Sequence, residues 1–547
     1  MKLRLAFVIT GIIVGFSGII FRLHYLQIAQ GSYYSAKAES QYTSSGVLEP
    51  HRGSLYFTDK HENVIPVVVN KDYDVVFAVP KEIKDPKKAA IALAKIFNLN
   101  ADRLAVRLAR KNDLYEHIAN KISKEDVEAV RAADIKGIYF DKETLRFYPF
   151  EQLASHVLGF LGFSEDDMEP MGKYGLEAYY DVELRGKRGT IEGEKITAPV
   201  HGGDFYLTID RNIQARAEEM LDDLTARYHT NAGTIIVQDP STGAILALAN
   251  RPTFDPNSYG DASLSDFLNP AIQSVYEPGS VFKVLTMAAG IDTGKITPKT
   301  TFYDSGSLTL NGKKIMNWDG RAHGTVTMTE VIEESINTGA AFAEQKTGHK
   351  VFESYLRLFG FEEKTDIELL GEVPGSLGNI GKKGQDINFA TASYGQGVSV
   401  TPLQLIDAIS AIANGGLLMH PYLSRENGPH VVRRVISRET ASAVTDMMVS
   451  AVKKAKVASI SEYHIAGKTG TAQVPDFKRG GYSEDFIHTY VGFAPATNPR
   501  FTALIKLDKP KGATLAGATV VPAFRELAQF ILSYYNIPPD NLVHVGE

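Results

Sequence analysis

Ser280 and Lys283 stand three residues apart in Glu277-Pro278-Gly279-Ser280-Val281-Phe282-Lys283. A serine hydroxyl is a weak nucleophile at neutral pH and needs a base beside it. At the start of a helix this spacing puts both side chains on one face, one turn apart. Pro278 and Gly279 break the chain just before, and the apolar run Val284, Leu285, Met287, Ala288, Ala289 follows. The segment therefore predicts a loop entering a buried helix, with Ser280 near its N-terminus. Burial would strip solvent from Lys283, lower its pKa and let it accept the serine proton. The helix N-terminus would favour developing negative charge.

Two later stretches carry complementary groups. Ser335-Ile336-Asn337 follows Val331-Ile332-Glu333-Glu334 at a polar break. A second serine beside an amide side chain offers a proton relay and a donor and acceptor for a substrate amide. The same residue types also suit a helix cap or turn. Lys468-Thr469-Gly470-Thr471 reads as a strand that presents a cation and hydroxyls to a carboxylate, with Gly470 allowing a ligand backbone to approach. Ser335 follows Ser280 by 55 residues, and Lys468 follows Ser335 by 133.

These groups need a scaffold. Residues 234–240 and 243–250 predict a β-hairpin upstream of Ser280, and 488–494 and 501–507 predict strands after Lys468. A closing helix is expected from Pro522 to about Tyr534, proline suiting its first turn. Earlier in the chain, 87–97 and 104–108 look helical, 67–69 and 75–79 strand-like, and 110–113 a charged turn. Residues 5–21 run without a charge and the apolar pattern continues to Ile28, long enough to span a bilayer. Lys2 and Arg4 precede it and keep the N-terminus in the cytoplasm. A cleaved signal peptide would use Ala29-x-Gly31, too far beyond the apolar run, so an uncleaved anchor is expected.

At 547 residues, two or more domains are expected. A net charge of −6 argues against a nucleic-acid binder. With no cysteine, disulfides, cysteine nucleophiles and thiolate zinc sites are excluded. The 14 histidines show no ligand spacing, so neither metal nor cofactor is expected.

The ordered set S-x-x-K, S-x-N and K-T-G resembles that of penicillin-binding proteins and serine β-lactamases. Gly203-Asp204, Leu207-Thr208-Ile209-Asp210, Tyr394-Gly395-Gln396-Gly397, Val400-Thr401-Pro402-Leu403-Gln404 and Gly492-Phe493-Ala494-Pro495 are similar to further segments of the transpeptidase domain. Arg52-Gly53-Ser54-Leu55, Arg146-Phe147-Tyr148-Pro149, Ala154-Ser155-His156 and Gly175-Leu176-Glu177 resemble the monofunctional class B branch, and the segment from Tyr394 to Thr401 together with the modest length resembles its septal, FtsI-like type. The chain departs from that pattern at Asp59-Lys60-His61-Glu62-Asn63, where the family has Asp-Arg-Asn-Gly, and at Ile336, where small residues are common.

The resemblance implies a multidomain α/β (α+β) architecture. Its parts would be a cytoplasmic tail (1–4), a transmembrane anchor (5–27), an elongated α+β pedestal (28–202) and a transpeptidase domain (203–547). That last domain would have a central antiparallel sheet flanked by helices and an all-helical subdomain, with no room for a further domain after its closing helix. It implies a peptidoglycan D,D-transpeptidase, membrane-anchored with its catalytic domain on the periplasmic side. Ser280 would attack the D-Ala-D-Ala end of a stem peptide with Lys283 as base. Ser335 would relay a proton, Asn337 would hold the stem amide, and Lys468, Thr469, Gly470 and Thr471 would take the carboxylate. The amides of Ser280 and Thr471 would form the oxyanion hole. β-Lactams would acylate Ser280. Implied partners are a SEDS-type membrane glycosyltransferase, met through a Gly11-x-x-x-Gly15 face and the pedestal, and other division proteins. The alternatives are a side-wall transpeptidase, a D,D-carboxypeptidase, a β-lactamase, a β-lactam sensor and a non-catalytic division scaffold.

Overall fold

The computed structural model describes residues 2–29, 47–113, 115–163, 170–192, 195–381, 384–476 and 478–540. Met1 of the expected tail, Gly31 of the cleavage pattern and residues 30–46 of the 28–202 segment lie outside them. Helix α1 (Lys2–His24) continues as a π-helical turn to Ala29. Its stretch Ile9–Gln27 has a mean hydropathy of 1.6 and is exposed along its length. An uncovered apolar helix of this length fits a single-pass membrane anchor.

The chain divides into two compact units. One is Met1–Ser54 with Val68–Pro149 and Lys187–His201; the other is Leu55–Val67 with Phe150–Gly186 and Gly202–Glu547. The sequence predicts a single cut between 202 and 203, whereas these units interleave. The reason is pairing and hydrogen bonding within the second unit. The strand Leu55–Thr58 runs parallel to Phe205–Asp210, and the Ala154 N–H donates to Glu218 Oε1 at 2.7 Å.

In the first unit, the part of β1 (Val64–Ala78) from Val68 onward and β2 (Ile138–Phe147) pair antiparallel from Val69↔Phe147 to Ala78↔Ile138. Where the sequence predicts two short strands, one long strand runs through the polar Asn70-Lys71-Asp72, because each of these has a partner on β2. Helices α2 (Pro86–Phe97), α3 (Ala101–Leu108) and α4 (Lys124–Ala132) bury Ala90, Leu93, Leu104, Leu108 and Val130 against Val76 and Ala78. Asp85, Asn100 and Ser123 cap their N-termini with side-chain oxygens.

The second unit is built on five antiparallel strands: β3 (Gly233–Gln238), β4 (Ile245–Arg251), β5 (Ala466–Pro475), β6 (Tyr482–Ala494) and β7 (Phe501–Asp508). Their spatial order is β4-β3-β7-β6-β5, which leaves β5, the strand of Lys468, at an edge. The unit also holds helices α5 (Arg211–Arg227), α6 (Phe282–Asp292), α7 (Met328–Glu333), α8 (Asn337–Thr347), α9 (Pro402–Ala413), α10 (Arg438–Ala455) and α11 (Val520–Tyr534). Ile213 and Leu221 of α5 and Phe524, Leu527 and Ile531 of α11 pack on Ile235, Val237 and Ile505. With helices on both faces, β3 and β7 read as near-continuous buried runs instead of alternating ones. Thr401 and Gln404 cap α9 reciprocally and Pro402 occupies its first turn, which is why that segment starts a helix. Helix α11 begins two residues before Pro522, which the first turn tolerates.

Met287, Val331, Ile332, Ala343 and Met447 join α6, α7, α8 and α10 into the expected helical subdomain. It also carries two short β-ribbons that the sequence does not predict. They are Thr301–Asp304 with Gly324–Thr327, and Ser307–Leu310 with Lys313–Met316.

Candidate active site

Ser280 lies on a 3₁₀ turn, Gly279–Val281, that runs straight into α6. Two segments hold this turn. On one side the Gly279 N–H donates to Gly395 O at 3.0 Å. A Cβ on Gly395, whose φ is +80°, would stand 2.2 Å from Gly279 O, so the contact requires glycine. The Gly397 N–H donates to Glu277 Oε1 at 2.9 Å and the Tyr482 hydroxyl to Oε2 at 3.0 Å. Burial nevertheless raises the Glu277 pKa.

On the other side is β5. A Cβ on Gly470 would meet Pro278 O at 2.5 Å. The sequence assigns this glycine to the approach of a ligand; in the structure it makes room for the serine's own loop. The Ser280 side chain is half-buried, and its hydroxyl makes no hydrogen bond to a described residue.

Ser335 sits at the end of α7, at φ +57°. The Ile336 N–H donates back to Val331 O at 3.0 Å, and both side chains are buried together. This is a Schellman ending with serine at the left-handed position that glycine usually fills. The residue in this helix-ending turn is also the one that faces the lysines. Lys283, fully buried on α6, donates to the Ser335 carbonyl and lies 3.1 Å from Ser335 Oγ. Lys468 Nζ reaches the same Oγ at 3.0 Å, and Thr469 O and Oγ1 at 3.3 Å each.

Burial and then the Lys468 charge hold the Lys283 pKa well below the ordinary lysine value. Burial brings Lys468 down to about 7. Two ammonium groups sharing one hydroxyl in a dry pocket repel, so the pair favours states in which one amine is neutral. A neutral Lys283 can donate to Ser335 and keep a lone pair for a proton.

The remaining residues divide. Thr471 Oγ1 accepts the Ala516 N–H at 3.2 Å, which leaves its O–H to donate. Asn337 opens α8 outside the lysine cluster, and its Nδ2 donates to Met316 O at 2.9 Å. Two residues that position the start of α8 escape the sequence motifs. Asn317 Oδ1 accepts from the Asn337 and Thr338 amides at 3.1 and 3.2 Å. Asp304 takes the Asn317 amide at 2.7 Å and the Thr338 hydroxyl at 2.6 Å. This cap forms across the unpredicted β-ribbons, so only the turn signal Asn317-Trp318-Asp319-Gly320 hints at it. Among the described residues, no group of three or more acidic, histidine or cysteine side chains could hold a metal.

Residues 233–529 match the penicillin binding protein transpeptidase domain, and 47–197 the penicillin-binding protein dimerisation domain. The stage V sporulation protein D of Bacillus subtilis is 34% identical over 95% of this chain and 84% of its own. The peptidoglycan D,D-transpeptidase FtsI of Escherichia coli is 27% identical over 94% and 88%. The crystal structure of penicillin binding protein 3 from Mycobacterium tuberculosis, complexed with aztreonam, superposes with a TM-score of 0.70 at 26% identity, covering 90% of this chain and 98% of that one. With the transpeptidase model spanning more than half of its length and the dimerisation model before it, this chain belongs to the class B penicillin-binding proteins of the FtsI type.

Proposed function

We propose that this protein is a peptidoglycan D,D-transpeptidase that works through an ester on Ser280. The observation that carries the reading is the shared hydroxyl: Ser335 Oγ lies 3.1 Å from Lys283 Nζ, on the helix that follows the Ser280 turn, and 3.0 Å from Lys468 Nζ. The donor's D-Ala-D-Ala end lies along β5, its carboxylate toward Lys468, Thr469 and Thr471, and Asn337 holds the stem amide. Neutral Lys283 takes the Ser280 proton as Oγ attacks the penultimate carbonyl. The oxyanion is met by the Ser280 and Thr471 amides. The intermediate then collapses, the C–N bond breaks, and the proton returns through Ser335 to the departing D-Ala amine. An acceptor amine next attacks the ester, the new amide cross-links two stems, and Ser280 regains its proton. A β-lactam enters the same first step, and its ring-opened ester stays on Ser280.

Lys2 and Arg4 support an orientation with the catalytic domain (203–547) and pedestal (28–202) outside the cytoplasmic membrane. A monofunctional transpeptidase has no glycan polymerase of its own. A SEDS-type membrane glycosyltransferase among the division proteins is the expected partner, and Gly11 and Gly15 of α1 face open space where its helix would pack. Gly11→Leu with Gly15→Leu should weaken co-purification with that polymerase and leave penicillin acylation unchanged; intact co-purification moves the contact to the pedestal. A septal site is the main reading. The sporulation relative at 34% identity favours a second, the wall of a spore, and imaging a tagged copy in dividing and sporulating cells separates the two.

The purified protein, incubated with a D-Ala-D-Ala donor and an acceptor amine, should release D-Ala and form the cross-linked amide. Hydrolysed donor alone would make it a carboxypeptidase. Absence of any penicillin adduct would leave a scaffold.

A further inference from the structure

Behind β5, on the far side of Thr471 from Lys468, a polar chain runs through an apolar core. Thr471 and His488 are directly opposed across β5 and β6, so their side chains share one face of the sheet. The Thr471 hydroxyl oxygen accepts the Ala516 N–H at 3.2 Å. The Ala516 carbonyl in turn accepts the Thr519 hydroxyl at 3.3 Å and the Thr519 N–H at 3.1 Å. His488 Nδ1 stands 2.9 Å from Thr519 Oγ1. His488 is fully buried and Thr519 is 1% exposed. The other ring nitrogen, Nε2, is buried and makes no hydrogen bond of good geometry, and the Thr514 carbonyl is the ring's other polar neighbour.

An apolar side chain would fill this position without stranding a polar atom. A histidine kept there has its polar end on Thr519, and Thr519 is tied to the turn that binds Thr471. Burial, opposed by the Thr514 carbonyl, pulls the His488 pKa down to about 4, so the ring is neutral where the enzyme works. A neutral ring adds no charge beside a bound anion; what it supplies is placement. With one lone pair of Thr471 Oγ1 occupied by Ala516 and no acceptor for its proton among the described residues, the O–H is left to donate.

We propose that His488 is a positioning residue for the donor carboxylate. Through Thr519 and the Ala516 turn it holds the Thr471 hydroxyl in the one rotamer whose proton is free for an anionic oxygen. The proposal rests on the reading of β5 as the carboxylate anchor.

The test uses single-turnover acylation of the full-length protein in detergent by two thioester donors, one with a free terminal carboxylate and one with that group as its methyl ester. His488→Leu should weaken apparent binding of the carboxylate donor by about tenfold, the loss of one well-placed hydrogen bond. Its limiting acylation rate and all constants for the methyl ester should hold. His488→Gln, which keeps a polar tip, should restore most of the binding. Thr519→Val should reproduce His488→Leu, and it carries the test if the leucine variant does not fold. The double variant His488→Leu with Thr471→Val should bind no more weakly than Thr471→Val alone. Equal losses on both donors, or additive losses in the double variant, would overturn the proposal and leave His488 a packing residue. Unchanged carboxylate binding by Thr471→Val in an active enzyme would overturn the anchor reading with it. A wild-type enzyme acylated by neither donor would instead sink the transpeptidase reading.

Discussion

Lys283 and Lys468 meet at a single oxygen. They come from a buried helix and an edge strand, and Ser335 Oγ lies within hydrogen-bond distance of both, at 3.1 and 3.0 Å. The carbonyl of Ser335 also accepts from Lys283, which the left-handed backbone at this residue permits. One serine in an unusual conformation therefore ties the three motifs together. Backbone strain of this kind, about 1–3 kcal/mol, is held where the surroundings over-determine it.

Ser280→Ala should abolish labelling by a fluorescent penicillin and leave the melting temperature unchanged within error. The Ser280 hydroxyl makes no hydrogen bond to a described residue, so the fold loses nothing with it. Labelling of the variant at the wild-type rate, followed on a gel, would remove Ser280 from the mechanism.

Lys283→Ala and Thr469→Val separate the base from the carboxylate anchor. Loss of the buried amine should lower the acylation rate by at least about 10³-fold, the scale of general-base assistance. Thr469→Val should cost about tenfold, one hydrogen bond, and be overcome by more drug. Similar mild effects in both, by stopped-flow acylation, would show that Lys283 is not the base.

Lys468 has its pKa lowered by burial to about 7, from 10.5. Its charge is present below that value and fades above it, so the affinity of a carboxylate donor should fall as the pH rises through 7. Lys468→Met should remove this alkaline limb. The stability sign follows from the same shift. Between the folded and unfolded pKa values the unfolded chain binds more protons, so stability rises with pH from about 7 to 10.5. The methionine variant should show a flatter melting-temperature profile over that range and gain about 1–4 kcal/mol at neutral pH. Identical profiles would mean that Lys468 titrates normally.

Gly470→Ala would place a Cβ 2.5 Å from Pro278 O and push the serine turn away from β5. Overpacking of this kind costs about 1–3 kcal/mol. Acylation should fall by about tenfold or more as the turn shifts, because misplacing a reacting group is costly. A lowered melting temperature with unchanged acylation would show that the turn accommodates the methyl.

Asn317→Leu should both destabilise the fold and slow acylation. It strips the amides of Asn337 and Thr338 of their acceptor and leaves Asp304 short of a donor. Buried groups left unpaired cost about 1–3 kcal/mol each. Calorimetry reads the first effect and penicillin labelling the second; full activity in a destabilised variant would confine Asn317 to the fold.

By itself the sequence determined the chemistry on offer and the local elements that carry it. Ser280 and Lys283 one turn apart, the capped start at Thr401-Pro402 and the apolar runs at 234–240 and 501–507 are short-range patterns, and helix and strand periodicity make them legible. Tertiary structure alone decided how they meet. No pattern says that Gly470 makes room for Pro278, since that depends on a strand packing against a loop nearly two hundred residues away in the chain. Nor could one assign Asn317 to cap α8, or make the cut between the two units discontinuous, because parallel pairing of Leu55–Thr58 with Phe205–Asp210 joins segments far apart in sequence. The lysine pKa values belong to the same class: composition supplies two ordinary amines, and only burial around one shared hydroxyl holds Lys283 well below the ordinary lysine value and brings Lys468 to about 7.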